Sequence, residues 1–99
     1  LNPFPKNMKS ILIICDNDKG ADLICTGLDS FGYKVSCTDN IDRAEILLGS
    51  NEYDLMCSTI KLSWDYGIPF IDSMYVAEEK YSAEAVDRLI GEIIKYFNK

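Results

Sequence analysis

The 99-residue chain has no histidine, only three prolines and no long apolar run. Without an imidazole there is no Ser-His-Asp or Cys-His nucleophile pair, and no histidine to complete a zinc site. The four cysteines, Cys15, Cys25, Cys37 and Cys57, show no CxxC spacing. They read as buried, reduced core residues rather than as a metal clip. Cations are also scarce, with 10 Lys+Arg against 16 Asp+Glu, a formal charge of -6 and a pI near 4.4. No Lys/Arg run offsets that balance, so the sequence argues against nucleic-acid binding, which needs clustered cations to neutralise phosphates. The longest wholly apolar run, Ile11 to Cys15, is too short for a bilayer span or a signal-peptide core. The expectation is a cytoplasmic protein with no membrane partner.

What is present suits one small globular domain. The apolar fraction is 47% and the mean hydropathy -0.05, enough for a single core but not for two. Residues 1–9, LNPFPKNMK, hold two of the prolines and read as an extended leader or linker. Residues 10–99 read as a single α/β domain.

Ile11 to Cys15 has the continuous apolar character of a strand buried on both faces. Ala21, Ile24, Leu28 and Phe31 recur at helical spacing, with Gly32 as a stop signal. Tyr33, Val35 and Cys37 alternate with polar residues as in a half-buried strand. Asn40 suits an N-cap for a helix carrying Ile41, Ala44, Leu47 and Leu48 and ending at Gly49. Tyr53 to Ile60 predicts a third strand, and Lys61 to Gly67 a loop. Ile68 to Ile71 predicts a fourth strand entered through Pro69, followed by a weaker extended piece at Met74 to Val76. Ser82 suits an N-cap for the last helix, whose stripe runs through Val86, Leu89, Ile90, Ile93, Ile94 and Phe97. Crossover connections in this order build a mostly parallel sheet with helices on both faces.

Strand 1 runs into Asp16, Asn17 and Asp18, at the sheet end where ligands of open α/β folds bind. A calcium loop needs a glycine where Ala21 stands and a glutamate where Gly27 stands. A phosphate cradle offers glycines and free amides, whereas two carboxylates repel a phosphoryl group. Two readings remain open: an acid-lined Mg²⁺ pocket, and a turn that simply caps the helix and meets water.

From Ile11 to Ile60 the chain resembles a response-regulator receiver domain of two-component signal transduction. ILIICD, FGYKV, NIDRAEILL and NEYDLMCST follow, without a gap, the family's ILIVDD, GY-x-V, NGEEALELL and YDLIILD. The resemblance implies a three-layer, flavodoxin-like fold that carries a phosphoryl group on a strand-3 aspartate beside Mg²⁺. The paired strand-1 acids fall on Cys15 and Asp16, with Asp18 outside the pair. The phosphoacceptor falls on Thr59, which cannot form an acyl phosphate. Later, IPFI resembles the IPVI of strand 4, and EKYSAEAVDRLI resembles KPFSPEELLARI, which puts Lys80 at the lysine that reaches the phosphoryl group. Ser73 is a looser match to the strand-4 hydroxyl. Helix 3 and one strand-helix unit are missing, so the core must close with about four strands.

The resemblance therefore implies an atypical, non-enzymatic signalling module that acts through a protein partner, a second copy of the chain included. Asp16, Asp18, Thr59 and Lys80 would be the remnant of its phosphorylation pocket, with Asp16 the one surviving Mg²⁺ ligand and no other cofactor expected. A rival resemblance is to phosphotransferase-system IIB domains, in which Cys15 would take a phosphoryl group. There CDNDKGAD stands in place of a Gly- and Ser/Thr-rich cradle.

Overall fold

The structure, a computed structural model, describes residues 8–98. The proposed leader therefore lies outside the described residues, except for Met8 and Lys9. The Lys9 carbonyl already accepts the Lys34 amide at 2.9 Å, extending the ladder one step before the first strand.

Eight elements follow in order: β1 Ser10–Ile14, α1 Asp18–Ser30, β2 Lys34–Thr38, α2 Ile41–Ser50, β3 Leu55–Ser58, β4 Phe70–Asp72, α3 Met74–Glu78 and α4 Ala83–Phe97. All pairings are parallel and the strand order is β2-β1-β3-β4. The two central strands are the ones with continuous apolar sequence. Ile11 to Ile14 and Leu55 to Cys57 are buried on both faces, whereas the outer strands β2 and β4 are exposed or half-buried except at Thr38. Continuous apolar runs in the middle and alternation at the rim are what burial on two faces and on one face require.

The two faces are covered unequally. One core joins Ile11, Ile13, Leu55 and Cys57 of the sheet to Ile24 and Leu28 of α1, Val76 of α3, and Val86, Leu89, Ile90 and Ile93 of α4. On the opposite face Leu12, Ile14 and Met56 meet Ala44, Leu47 and Leu48 of α2, with Tyr53 and the connecting segment that carries Ile60, Leu62, Tyr66 and Ile68 packed beside them. Between β3 and β4 this segment, which includes the predicted loop Lys61 to Gly67, contains no helix or strand.

Helix termini follow local chemistry. The Asn17, Asn40 and Ser82 side chains accept backbone N–H groups of Gly20, Arg43 and Ala85, and so cap α1, α2 and α4. Gly32, at φ 89, lets the chain leave α1 and enter β2.

The structure corrects several boundaries and two assignments. Strand 4 lies at Phe70–Asp72 rather than Ile68–Ile71, and β3 is shorter than Tyr53 to Ile60. Helix α2 runs through Gly49 to Ser50, where the Ser50 hydroxyl and the Asn51 amide hold the Ile46 and Leu47 carbonyls. Met74 to Val76 is not extended but opens α3. The Asp72 carboxylate accepts the Met74 amide at 2.9 Å, and a helical turn carries Val76 into the core. The cysteines divide: Cys15 and Cys57 are buried, but Cys25 is half-buried and Cys37 exposed, because β2 is an edge strand.

Candidate functional site

The carboxyl ends of β1 and β3 hold the residues expected to form a site. The acidic turn splits between several tasks. Asn17 is the α1 cap, its side-chain oxygen 2.7 Å from the Gly20 amide. Asp18 starts α1 and lines a shallow groove with Cys15, Ala21, Cys37, Thr38, Asp39 and Arg43, between the ends of β1 and β2. Asp16 is exposed and lies on the Tyr81 side, close enough for its charge to favour the neutral phenol. Cys15, 2% exposed, donates its thiol hydrogen to the Asn17 carbonyl at 3.5 Å.

Thr59 directly follows β3 and is buried. Its amide and its hydroxyl both point to the Ile14 carbonyl, at 2.9 and 3.5 Å, so it extends the β1-β3 ladder by one residue. The hydroxyl also receives the Tyr81 phenol at 3.4 Å. Sequence reasoning missed Tyr81, which brings an aromatic ring to the end of strand 3. The signal was its place immediately before the N-cap Ser82, where an apolar residue commonly staples a helix start. Tyr81 packs on the core that contains Val86 of α4.

The route into that position is unusual. Lys80 and Tyr81 are both left-handed, at φ 55 and 56. Two non-glycine residues in this region cost energy that packing must offset. The double turn ends α3 and aims Tyr81 at Thr59, while Lys80 itself is exposed. Burial raises the Tyr81 phenol above its usual pKa, and Cys15 and Asp16 push in the same direction. Ser73, fully buried, donates to the Ile71 carbonyl at 3.1 Å and also bonds Cys57, whose thiol is pushed up to about 12 by burial. Ser73 thus serves the core at the end of β4.

The structure brings Asp16, Thr59 and Tyr81 together, while Asp18 lines the groove beside Cys15 and Lys80 is exposed. This donor set does not fit the implied Mg²⁺. One exposed carboxylate beside an engaged hydroxyl falls short of the oxygen ligands the ion needs. Among the described residues no group of three His, Cys, Asp or Glu side chains is arranged to hold a metal ion.

A second feature lies on the thinly covered face. An open cavity of about 550 Å³ is lined by Met56, Leu62, Trp64, Tyr66, Ile68 and Phe70, among others. Trp64 is 72% exposed and Phe70 44%. The Tyr66 hydroxyl donates to Glu45 at 2.8 Å, which ties this segment to α2.

The solved structures include a similar chain, HP1043, an orphan response regulator of H. pylori. The two share 16% identity at a TM-score of 0.61, over 92% of this chain and 98% of that one. The chain has a receiver-like fold. No family model and no curated protein matches the sequence. Thr59, which the resemblance aligns with the acceptor, directly follows β3. No helix among the described residues is long and apolar enough to cross a membrane.

Proposed function

We propose that this receiver-like domain is an atypical cytoplasmic signalling module that works through protein–protein contact, without aspartyl phosphorylation and without catalysis of its own. The observation that carries this reading is the Tyr81–Thr59 contact. The acceptor position holds a hydroxyl instead of a carboxylate, and the protein's own phenol occupies its outward side. Asp16 alone remains of the acids that would surround an acyl phosphate. The cavity flanked by Trp64 and Phe70 supports the binding half of the proposal, since exposed aromatics around an apolar hollow are characteristic of interaction surfaces.

Less supports the phosphocysteine alternative. Cys15 is buried, and the Asn17 side chain already takes the Gly20 amide that a phosphate cradle would use.

The test is an amide NMR spectrum of the full chain with Mg²⁺ and beryllofluoride, an acyl-phosphate mimic. An unchanged spectrum is expected. Shifts clustered at Asp16, Thr59 and Tyr81 would overturn the proposal. Incubation with a phosphorylated sugar-transport carrier protein, read by intact mass, should likewise leave Cys15 unmodified.

A further inference from the structure

Cys25 and Cys37 differ from the two buried cysteines in position and in surroundings. α1 packs along β2, and the turn through Gly32 folds the two elements back on each other, so residues of their facing sides become neighbours. Cys25, half-buried on α1, packs against the core cluster that contains Ile13, and exposed Cys37 on β2 stands opposite Ile13 in the β1–β2 register, so the two thiols share one face of the sheet. Ala21, one helical turn before Cys25, lines the same groove as Cys37, which places this face of α1 against the end of β2 independently of the thiols. Disulfide geometry needs two sulfurs on adjoining elements with room to approach, and an edge strand offers that room.

We propose that Cys25 and Cys37 are a reversible disulfide site, closed by a hydroperoxide and reopened by a dithiol. The exposed Cys37 thiolate attacks the peroxide, the O–O bond breaks, and sulfur leaves as a sulfenic acid while the departing oxygen is protonated to water (or to an alcohol, for an organic peroxide). Cys25 then attacks that sulfur. The S–S bond forms, the S–O bond breaks, and a water carries away the hydroxyl and the Cys25 proton. Two thiols and one peroxide thus give one disulfide and two molecules of water when the oxidant is hydrogen peroxide.

The surroundings suit this division of roles. The neighbouring Cys25 thiol lowers the Cys37 pKa against the opposing effects of burial and Asp39, while Cys37 raises that of Cys25, together with burial, Cys15 and Asp22. Arg43 lines the groove that Cys37 shares, together with Asp18 and Asp39. Cys57 is enclosed in the core, and the Cys15 thiol is bonded to the Asn17 carbonyl, so neither matches Cys37 in access.

The full reduced chain is treated with a modest excess of hydrogen peroxide, alkylated and digested with trypsin without reduction. Cleavage after lysine and arginine puts each cysteine on a separate peptide, Cys25 on residues 20–34 and Cys37 on residues 35–43. The expected result is loss of two hydrogens from the intact monomer, with these two peptides joined and released by dithiothreitol. Cys37→Ser should abolish the link. Cys25→Ser should halt the reaction at a Cys37 sulfenic acid that dimedone captures. An unchanged mass, a link through Cys15 or Cys57, or a disulfide-bonded dimer would each overturn the proposal. As a measurement independent of the serine variants, iodoacetamide at neutral pH should alkylate Cys37 several-fold faster than any other cysteine of the wild-type chain. Equal rates would overturn the assignment of Cys37 as the attacking thiol.

Discussion

Gly20 lies flat against the ring of Tyr81. A Cβ added at Gly20 would collide with three atoms of that ring. The first turn of α1 and the segment before α4 therefore approach as closely as they do because residue 20 has no side chain. Helix propensity alone would favour alanine there by about 1 kcal/mol. Gly20→Ala should nevertheless destabilise the chain, by a net of roughly 1–2 kcal/mol, because overpacking costs more than the propensity gained. The urea midpoint should fall. A rise would mean that the ring moves aside at no cost.

Tyr81 contributes more through its ring than through its hydroxyl. At 3.4 Å the bond to Thr59 is long, and its loss in Tyr81→Phe should cost less than about 1 kcal/mol. Tyr81→Ala removes a half-buried ring from the α1–α4 core and should cost roughly 2–3 kcal/mol. Urea unfolding of the two variants separates these effects, and equal losses would contradict this division.

Lys80 bears the left-handed turn without a packing role to require its side chain. Lys80→Gly should leave the fold unchanged and should stabilise it by about 0.5–1 kcal/mol, the relief of a positive φ net of glycine's greater freedom when unfolded. Glu79→Gly at the neighbouring position, where φ is -88 and the carboxylate pairs with Arg88 at 2.8 Å, should lower stability instead. Denaturation midpoints of the two variants make the comparison.

Alkaline pH should weaken the fold before any surface group explains it. Burial raises the Cys57 thiol from 9.0 to about 12, and Tyr75 is raised by burial and by its bond to Glu92. The folded state thus holds protons that the unfolded state releases. The stability from Cys57 is fully present below pH 9 and is lost as pH rises toward 12, on the order of 4 kcal/mol in all. Urea midpoints between pH 8 and pH 11 should fall steadily, and Cys57→Ala, although less stable at pH 8, should show a shallower fall.

Residues whose neighbours lie within one element were legible from the sequence. Apolar runs identified the central strands, and Asn40 and Ser82 marked their helices because a cap satisfies amides three residues away. The apolar centre Leu55, Met56 and Cys57 marked β3, which Thr59 directly follows. Tyr81 was not legible, because its role depends on a left-handed turn and on Gly20, some sixty positions earlier in the chain. Exposure of Cys37 was hidden for a similar reason. Alternation shows that β2 is half-buried, but only the strand order shows that β2 is an edge.

That same strand order leaves β4 as the other rim of the sheet, with one side of its backbone unpaired. An unpaired rim invites another chain to add a strand, and long, flat, apolar rims lead to fibres. Here the rim is only Phe70–Asp72, entered by Pro69 and closed by an aspartate. A rim three residues long gives an incoming strand too few hydrogen bonds to hold it. A sheet of four strands ends at β4, and that boundary is too brief to act as a template for assembly.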